Sequence, residues 1–233
     1  MKLTAKFSKL PSMFLAISLA LSAAIPAAAW EIIDVPTAEP IDYSTYRLGF
    51  RLYGGGGILT RATFGVFRNV NLGFAWDIKN IIGANDVELV PPSIHLKIRF
   101  YEGDKKFPAF AIGYEAQGHY WDKAGQLYTE KERGIYMVAT REMFTPGLEF
   151  SLGGNVNDFK ESIVYGFAGA EYDLETVSFL LEYDNLHLEE NQRLNAGLRF
   201  KITPDLHFEL AGKNIGRNYP AERIIKSNYI ARF

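Results

Sequence analysis

The chain contains no cysteine among its 233 residues. This excludes disulfide bonds and thiolate metal sites, and it is typical of a chain that crosses an oxidising compartment while unfolded. An excess of one charge is also lacking, because 25 Lys and Arg residues oppose 27 Asp and Glu residues. No run of basic residues interleaved with aromatic residues is present. We therefore expect no nucleic-acid partner.

Long apolar runs are lacking too, apart from residues 13–24. This run follows three lysines and precedes the sequence Ala-Ala-Ala at 27–29, which is the pattern of a Sec-type signal peptide. A membrane-anchoring helix is the alternative, but a bilayer requires roughly 20 apolar residues. The sequence predicts a signal peptide over 1–29, cleavage after Ala29, a periplasmic N-terminal segment over 30–43 and a further domain over 44–233.

Alternation with a period of two residues dominates that domain. Tyr46, Leu48 and Phe50 would share one strand face, while Arg47, Gly49 and Arg51 would share the other. Similar alternation recurs over 92–101 and 193–201. Strands of roughly 9–11 residues match a tilted crossing of a bilayer, whereas strands of soluble proteins usually have about 5–6. The pattern predicts a membrane-spanning β structure with apolar residues facing lipid.

Twelve strands can be placed in this way, and the even number is typical of a closed barrel. The connections after the even-numbered strands are short, whereas most of the others are longer. We therefore predict an all-β, antiparallel, up-and-down transmembrane barrel in the bacterial outer membrane, with both chain ends in the periplasm. The predicted strands are 44–53, 58–67, 70–77, 92–101, 107–115, 132–141, 147–155, 162–171, 176–184, 193–201, 205–213 and 225–233.

The last residue, Phe233, supports this prediction, because a terminal aromatic residue is similar to the signal of the barrel assembly machinery. Tyr229 lies on the same alternating face as Phe233. We expect two partners for the protein, the lipid of the outer membrane and the assembly machinery. A soluble β-sandwich is the alternative, but it would need a dry core between its sheets instead of arginines at alternate positions.

A barrel of this size would direct many charged side chains into its lumen. Most of the cations lie on strands that become neighbours on closure, and four of the acids lie on strands 5, 7 and 9. A cationic wall facing an acidic wall could guide an anionic chain through a pore, or the charges could pair and plug the lumen. The candidates are Arg47, Arg51, Arg61, Lys97, Arg99, Arg199, Lys201, Lys213, Arg232, Asp77, Glu115, Glu149, Glu182, Asp184 and Glu209.

Catalysis and cofactor binding have little support in the sequence. The four histidines lack a Gly-x-Ser-x-Gly or comparable nucleophile context, and no loop has the ligand spacing of a calcium site. We expect that the protein is not an enzyme and that it binds neither a metal nor a cofactor. The aromatic residues near strand ends suggest an interfacial girdle, with sugar-stacking platforms as the alternative. They are Trp76, Tyr101, Tyr114, Trp121 and Tyr183.

Several segments resemble the YjbH-type outer-membrane proteins that are associated with exopolysaccharide production. They are VPTAEP, RLYGGGGILT, NIIGAND, FPAFAIGYEAQGHY and RGIYMVATRE. Full-length members of that family are much longer, so the chain is similar to a single-barrel relative. The resemblance implies a barrel that assists export or surface deposition of an exopolysaccharide, with an anionic polysaccharide and other export proteins as partners. The alternatives are a solute-selective porin and a plugged structural or adhesin-like barrel.

The predicted cationic wall can be tested by replacing Arg199, Lys201 and Arg232 with Ser. If these side chains line an ion path, the substitutions should reduce the preference for anions, because each removes a positive charge from the lumen. The reversal potential across a salt gradient in a planar bilayer measures this preference. Unchanged selectivity would contradict the idea of a polarised path.

Overall fold

A computed structural model describes residues 30–159, 163–187, 192–215 and 220–233. The predicted signal peptide, residues 1–29, and the predicted cleavage after Ala29 lie outside the described residues. Within the described ranges, no helix is long and apolar enough to cross a membrane. The strands are β1 Thr45–Tyr53, β2 Gly57–Phe67, β3 Val70–Lys79, β4 Glu88–Leu89, β5 Ser93–Tyr101, β6 Ala109–Glu115, β7 His119–Asp122, β8 Leu127–Glu130, β9 Gly134–Glu142, β10 Leu148–Val156, β11 Tyr165–Leu174, β12 Val177–Asp184, β13 Arg193–Lys201, β14 Leu206–Lys213 and β15 Glu222–Arg232.

Twelve of these strands form a closed antiparallel barrel in chain order, and this confirms the predicted fold. The sheet closes where β1 pairs with β15, in a register that runs from Thr45 opposite Arg232 to Leu52 opposite Ile225. Closure pairs each of the twelve described barrel strands on both sides, as strands in lipid require. Phe233 follows directly, and its backbone N–H donates to the Ser44 carbonyl at 3.1 Å. Its role in assembly stays a prediction.

The predicted strand positions agree with the observed ones within about three residues; the largest offset is at 162–171, where the strand is Tyr165–Leu174. The sequence missed three short strands within the long connections. Strand β4 extends the β3 edge, and β7 pairs with β8 as a separate hairpin. Trp121 belongs to that hairpin and packs on Tyr128, with ring centroids 4.9 Å apart. It is therefore not part of an interfacial girdle on the barrel wall.

The barrel wall separates apolar from charged side chains, as the alternation predicts. Leu181 on β12 is 51% exposed on the outside, whereas Lys97 on β5 is completely buried inside. This is the inverse of a soluble protein, and it fits an exterior in contact with lipid hydrocarbon. Trp76 and Tyr114 are exposed on the outer face, as expected for a girdle.

Residues 30–41 lie inside the barrel, where sequence analysis had assigned a periplasmic segment. Ile32, Ile33 and Val35 are almost completely buried against lumen-facing apolar residues that include Val138 and Phe167. These wall residues would face water in an empty lumen, so covering them favours insertion of the segment. We call residues Trp30–Ile41 the plug segment.

A charge on the outer face should destabilise the barrel. We expect Leu181→Arg to lower the free energy of unfolding by about 2–4 kcal/mol, because Arg would be placed in the hydrocarbon near the middle of β12. Urea unfolding in lipid vesicles measures this change. Leu181→Phe keeps the residue apolar and should have a much smaller effect; equal effects of the two substitutions would argue against a lipid-facing position.

Candidate functional site

The plug segment forms a hairpin-like turn inside the lumen. The Ile32 N–H donates to the Val35 carbonyl at 2.9 Å, and the Thr37 N–H donates to the Trp30 carbonyl at 3.2 Å. The tip of the turn therefore lies at residues 32–35. At the other end of the segment, Ile41 exchanges two hydrogen bonds with the side-chain amide of Asn71, at 2.9 and 3.0 Å. The segment is therefore fixed to the wall at Ile41.

Glu182 on β12 holds the tip. Its Oε2 accepts hydrogen bonds from three successive backbone N–H groups, those of Ile33, Asp34 and Val35, at 3.0, 2.9 and 2.8 Å. Its other oxygen accepts a bond from Asn195 at 2.6 Å. Successive backbone N–H groups that converge in a turn form an anion-binding nest, and hydrogen bonds to a charged acceptor are the strong ones. The buried Glu182 carboxylate is thereby fully satisfied.

One side of the lumen carries cations, which we call the cationic wall. Its members lie on β15, β1, β2 and β5, with β3 between β2 and β5. Glu31 of the plug segment reaches three of them. Its carboxylate lies 3.5 Å from Arg47, 3.3 Å from Arg61 and 3.4 Å from Lys226. The cationic wall comprises Arg47, Arg51, Arg61, Lys97, Arg99 and Lys226.

The remaining cations of the wall also pair with the plug segment. Arg51 forms an ion pair with Asp34, and Arg99 forms one with Glu39. Lys97 donates to the carbonyls of Trp30 and Glu39 at 2.7 and 3.1 Å. The plug segment therefore supplies much of the counter-charge and many of the hydrogen-bond acceptors of this wall. A buried cation that loses such partners is costly unless water or another anion replaces them.

The predicted wall was partly misplaced, because two of its cations pair with acids of the barrel itself. Arg199 contacts Glu171 at 2.7 Å and Glu209 at 3.1 Å, and it also donates to the Glu31 and Ile32 carbonyls. Lys201 pairs with Asp173. Local strand pairing brings these acids beside the cations, because Arg199 lies opposite Glu209 in the β13–β14 pair and β11 lies two strands from β13. The cationic wall is consequently narrower and is centred on β1.

Two other predicted cations, Lys213 and Arg232, differ in burial and in their position in the lumen. Lys213 is buried 2.7 Å from Asp34 of the plug segment. Arg232 is exposed at the end of β15 that carries the short turns, so it does not line the narrow part of the lumen. The serine substitutions predicted from sequence would therefore act mainly through Arg199, which holds both the wall and the plug segment.

The predicted acids lie on the inner side of the wall. Glu115 pairs with Arg61 at 3.2 Å, and Asp77 accepts a hydrogen bond from the Tyr53 hydroxyl at 2.6 Å. Asp184 pairs with Arg133 at 2.9 Å and with Arg193 at 3.3 Å. Glu149 lies on the same face of β10 as buried Ser151. Asp77, Glu115 and Asp184 lie near the long-loop ends of β3, β6 and β12, whereas Glu149 lies near the short-turn end of β10.

Sequence reasoning missed several residues of the site. Lys226 and Glu171 lie at alternate positions of predicted strands, so strand parity could have identified them. Arg133 precedes β9 and gave no such signal, although it donates to the Asp34 carbonyl at 3.2 Å. The plug acids Glu31 and Asp34 carried no periodic signal at all, because their positions depend on a turn inside the lumen.

A cavity of about 410 Å³, which we call the vestibule, opens at the end of the barrel with the long loops. A second cavity, of about 40 Å³, lies nearer the short turns. Trp30 and Glu31 line both cavities, so the plug segment stands between them.

The β7–β8 hairpin folds over the vestibule and reaches the plug segment. His119 lies 3.5 Å from Arg51 and 3.8 Å from Asp34. Burial and nearby Lys213 lower the pKa of His119 well below its usual range. The side chain is therefore neutral at pH 7, and its approach to Asp34 is not an ion pair.

The other histidines give no sign of a metal or catalytic site. His95 is buried in the lumen and contacts the Thr63 hydroxyl at 2.9 Å. His207 faces the small lower cavity. Among the described residues, no group of three His, Asp or Glu side chains is arranged to hold a metal ion.

No family model matches the chain, and no curated protein matches its sequence. The chain is similar in structure to the KdgM porin in complex with disordered oligogalacturonate, with 12% identity, a TM-score of 0.51 and coverage of 79% of this chain and 98% of the porin. A NanC porin has 10% identity, a TM-score of 0.43 and coverage of 81% and 98%. At such identities the first similarity supports the fold alone, which is that of an outer-membrane porin.

The hold of Glu182 on the plug segment can be tested with a cysteine probe, since the chain has none of its own. Val35→Cys, at a completely buried position, should react slowly with a water-soluble maleimide. Adding Glu182→Ala should speed labelling tenfold or more, because each hydrogen bond to a charged group contributes about 1.5–3 kcal/mol. Glu149→Ala is the control, as Glu149 makes no hydrogen bond to the plug segment in the described structure. Equal labelling with both alanine variants would show that Glu182 does not hold the tip.

Proposed function

We propose that the protein is an outer-membrane channel for anionic solutes, and that its own plug segment closes it in the structure described above. One observation carries this proposal. Most of the cationic wall pairs with Glu31, Asp34, Glu39 or backbone carbonyls of the plug segment. The plug segment thus occupies the position that an anion would take in an open lumen.

Displacement of the plug segment would create an ion path with a defined preference. Arg47, Arg51 and Arg99 would lose the acidic partners described above, and their field would then act on solutes in a narrow channel with low-dielectric walls. Such walls concentrate the field and raise the local concentration of counter-ions. Strand β13, which lies three strands from β1, would contribute less, because Arg199 and its acids neutralise one another. The net effect favours anions.

Acidic saccharides are the solutes that fit best. The plug segment offers carboxylates and carbonyl oxygens to Arg and Lys, and a chain of uronic acids offers carboxylates and hydroxyl oxygens in the same way. The similar porin was solved with an oligogalacturonate, a polyanionic sugar chain. The exopolysaccharide role and the YjbH-type resemblance remain predictions that point to the same chemical class.

A plugged scaffold that acts through its loops is the second candidate. The filled lumen favours it, because the plug segment is hydrogen-bonded at its tip and at Ile41. The two functions differ in one property, which is whether loss of the plug segment produces a conducting pore.

Planar-bilayer recording distinguishes these functions. We expect small or rare conductance from the mature protein, and large anion-selective steps from a variant that lacks residues 30–41. The full-length variant Glu31→Gln/Asp34→Asn/Glu39→Gln should show more frequent steps, because its plug segment no longer neutralises the cationic wall. Conductance and the reversal potential across a KCl gradient are the measurements, with barrel closure checked by the shift in electrophoretic migration on heating.

Two further variants test the origin of the selectivity. In the variant lacking residues 30–41, Arg47→Ser/Arg99→Ser should reduce anion preference, whereas Arg223→Ser should not, because Arg223 is exposed outside the lumen. Oligogalacturonate added on one side should block the anion current. A folded barrel that stays silent without its plug segment, or that prefers cations, would contradict the proposed channel and favour the scaffold.

A further inference from the structure

The vestibule contains polar and aromatic groups that the channel proposal does not use. Its volume of about 410 Å³ lies within the range of ordinary small-ligand sites. The β7–β8 hairpin contributes Tyr120 from one side, and β11 contributes Tyr165 from the other. The floor is formed by Trp30, Glu31 and other residues of the plug segment. A molecule bound here would therefore touch the loops, the wall and the plug segment together.

The fixed charges of the vestibule disfavour a charged ligand. Six carboxylates line it, against four Lys and Arg side chains. Five of these carboxylates are already paired with cations. Asp184, for example, pairs with Arg133 and Arg193, and Glu115 pairs with Arg61. An anion would have to displace one of these carboxylates from its cation, and a cation would have to compete with arginines that are already in place.

The groups that remain for a ligand are mostly neutral. The hydroxyls of Tyr136 and Tyr165 make no hydrogen bond within the part of the chain that the structure describes. The buried Oδ1 of Asn157 also lacks a partner among the described residues. Tyr120 uses its hydroxyl to bond Glu222 at 2.9 Å, which holds its ring at the side of the cavity. Aromatic rings combined with neutral hydrogen-bonding groups match a molecule with an apolar face and a hydroxylated rim.

We infer that the vestibule binds an uncharged sugar, and that this binding holds the plug segment in the lumen. The site includes residues of the plug segment, so it is complete only in the plugged barrel. A ligand that binds one of two states better shifts the population toward that state. The inferred sugar would thus act against opening. This inference does not depend on the proposed anion channel, since it concerns binding to the plugged form.

Three probes with the same ring test the chemical class, namely glucose, glucosamine and glucuronate. Titration calorimetry or saturation-transfer NMR of the refolded mature protein should detect glucose binding, with the two charged sugars binding more weakly. The Tyr136→Phe/Tyr165→Phe variant should lose affinity roughly tenfold, because two hydroxyl hydrogen bonds are removed. The control is Tyr114→Phe/Tyr229→Phe, whose side chains lie on the outer face.

A labelling experiment tests the link to the plug segment. In Val35→Cys/Glu182→Ala, saturating glucose should slow maleimide labelling severalfold, while glucuronate should not. The inference is overturned if no glucose binding is detected, if either charged sugar binds as tightly, or if the Tyr136→Phe/Tyr165→Phe variant binds like its control. Glucose binding without protection of Val35→Cys would overturn the part that concerns the plug segment. Bilayer conductance enters none of these readouts, so failure here is distinguishable from failure of the channel proposal.

Discussion

The attraction between the acidic plug segment and the cationic wall is the interaction on which the closed lumen depends. Arg47 and Arg51 are buried and Arg99 is largely buried in the lumen, where an unpaired charge is costly. Glu31, Asp34 and Glu39 provide the missing negative charge. Without the plug segment, the same wall would need water or mobile anions. One set of residues therefore accounts for the closed form and for the ion preference that we propose for an open form.

Electrostatics alone would not select one position for the plug segment, because several arrangements could bring carboxylates near arginines. Apolar packing and a directional contact supply the rest. Ile32 packs in a part of the lumen where Gly169 leaves room, and a Cβ at Gly169 would lie only 2.3 Å from the end of its side chain. Glu182 then binds the three backbone N–H groups of the tip. Shape and hydrogen bonding thus decide the position among the arrangements that pair the charges.

The lumen differs in chemistry on the two sides of the plug segment. Toward the short turns, the plug segment pairs Glu39 with Arg99 and offers two backbone carbonyls to Lys97 within a narrow lumen. Toward the long loops, it forms the floor of a vestibule whose charges are largely paired and whose tyrosines remain available. Anion passage and neutral-sugar binding would therefore be alternatives, because the first requires the plug segment to leave and the second requires it to stay.

The sequence by itself determined the twelve-stranded barrel and the inner or outer direction of nearly every strand residue. Strand residues face lipid and lumen in turn, so the sequence alternates between apolar and polar residues. This alternation places Arg47 inside the barrel and Leu181 outside it. Only the tertiary structure decided which charges meet. The register of β13 and β14 places Glu209 opposite Arg199, β11 brings Glu171 to the same cation from two strands away, and a nonperiodic turn carries Glu31 into the lumen. Such contacts depend on strand register and on chain reversal, which local periodicity does not encode.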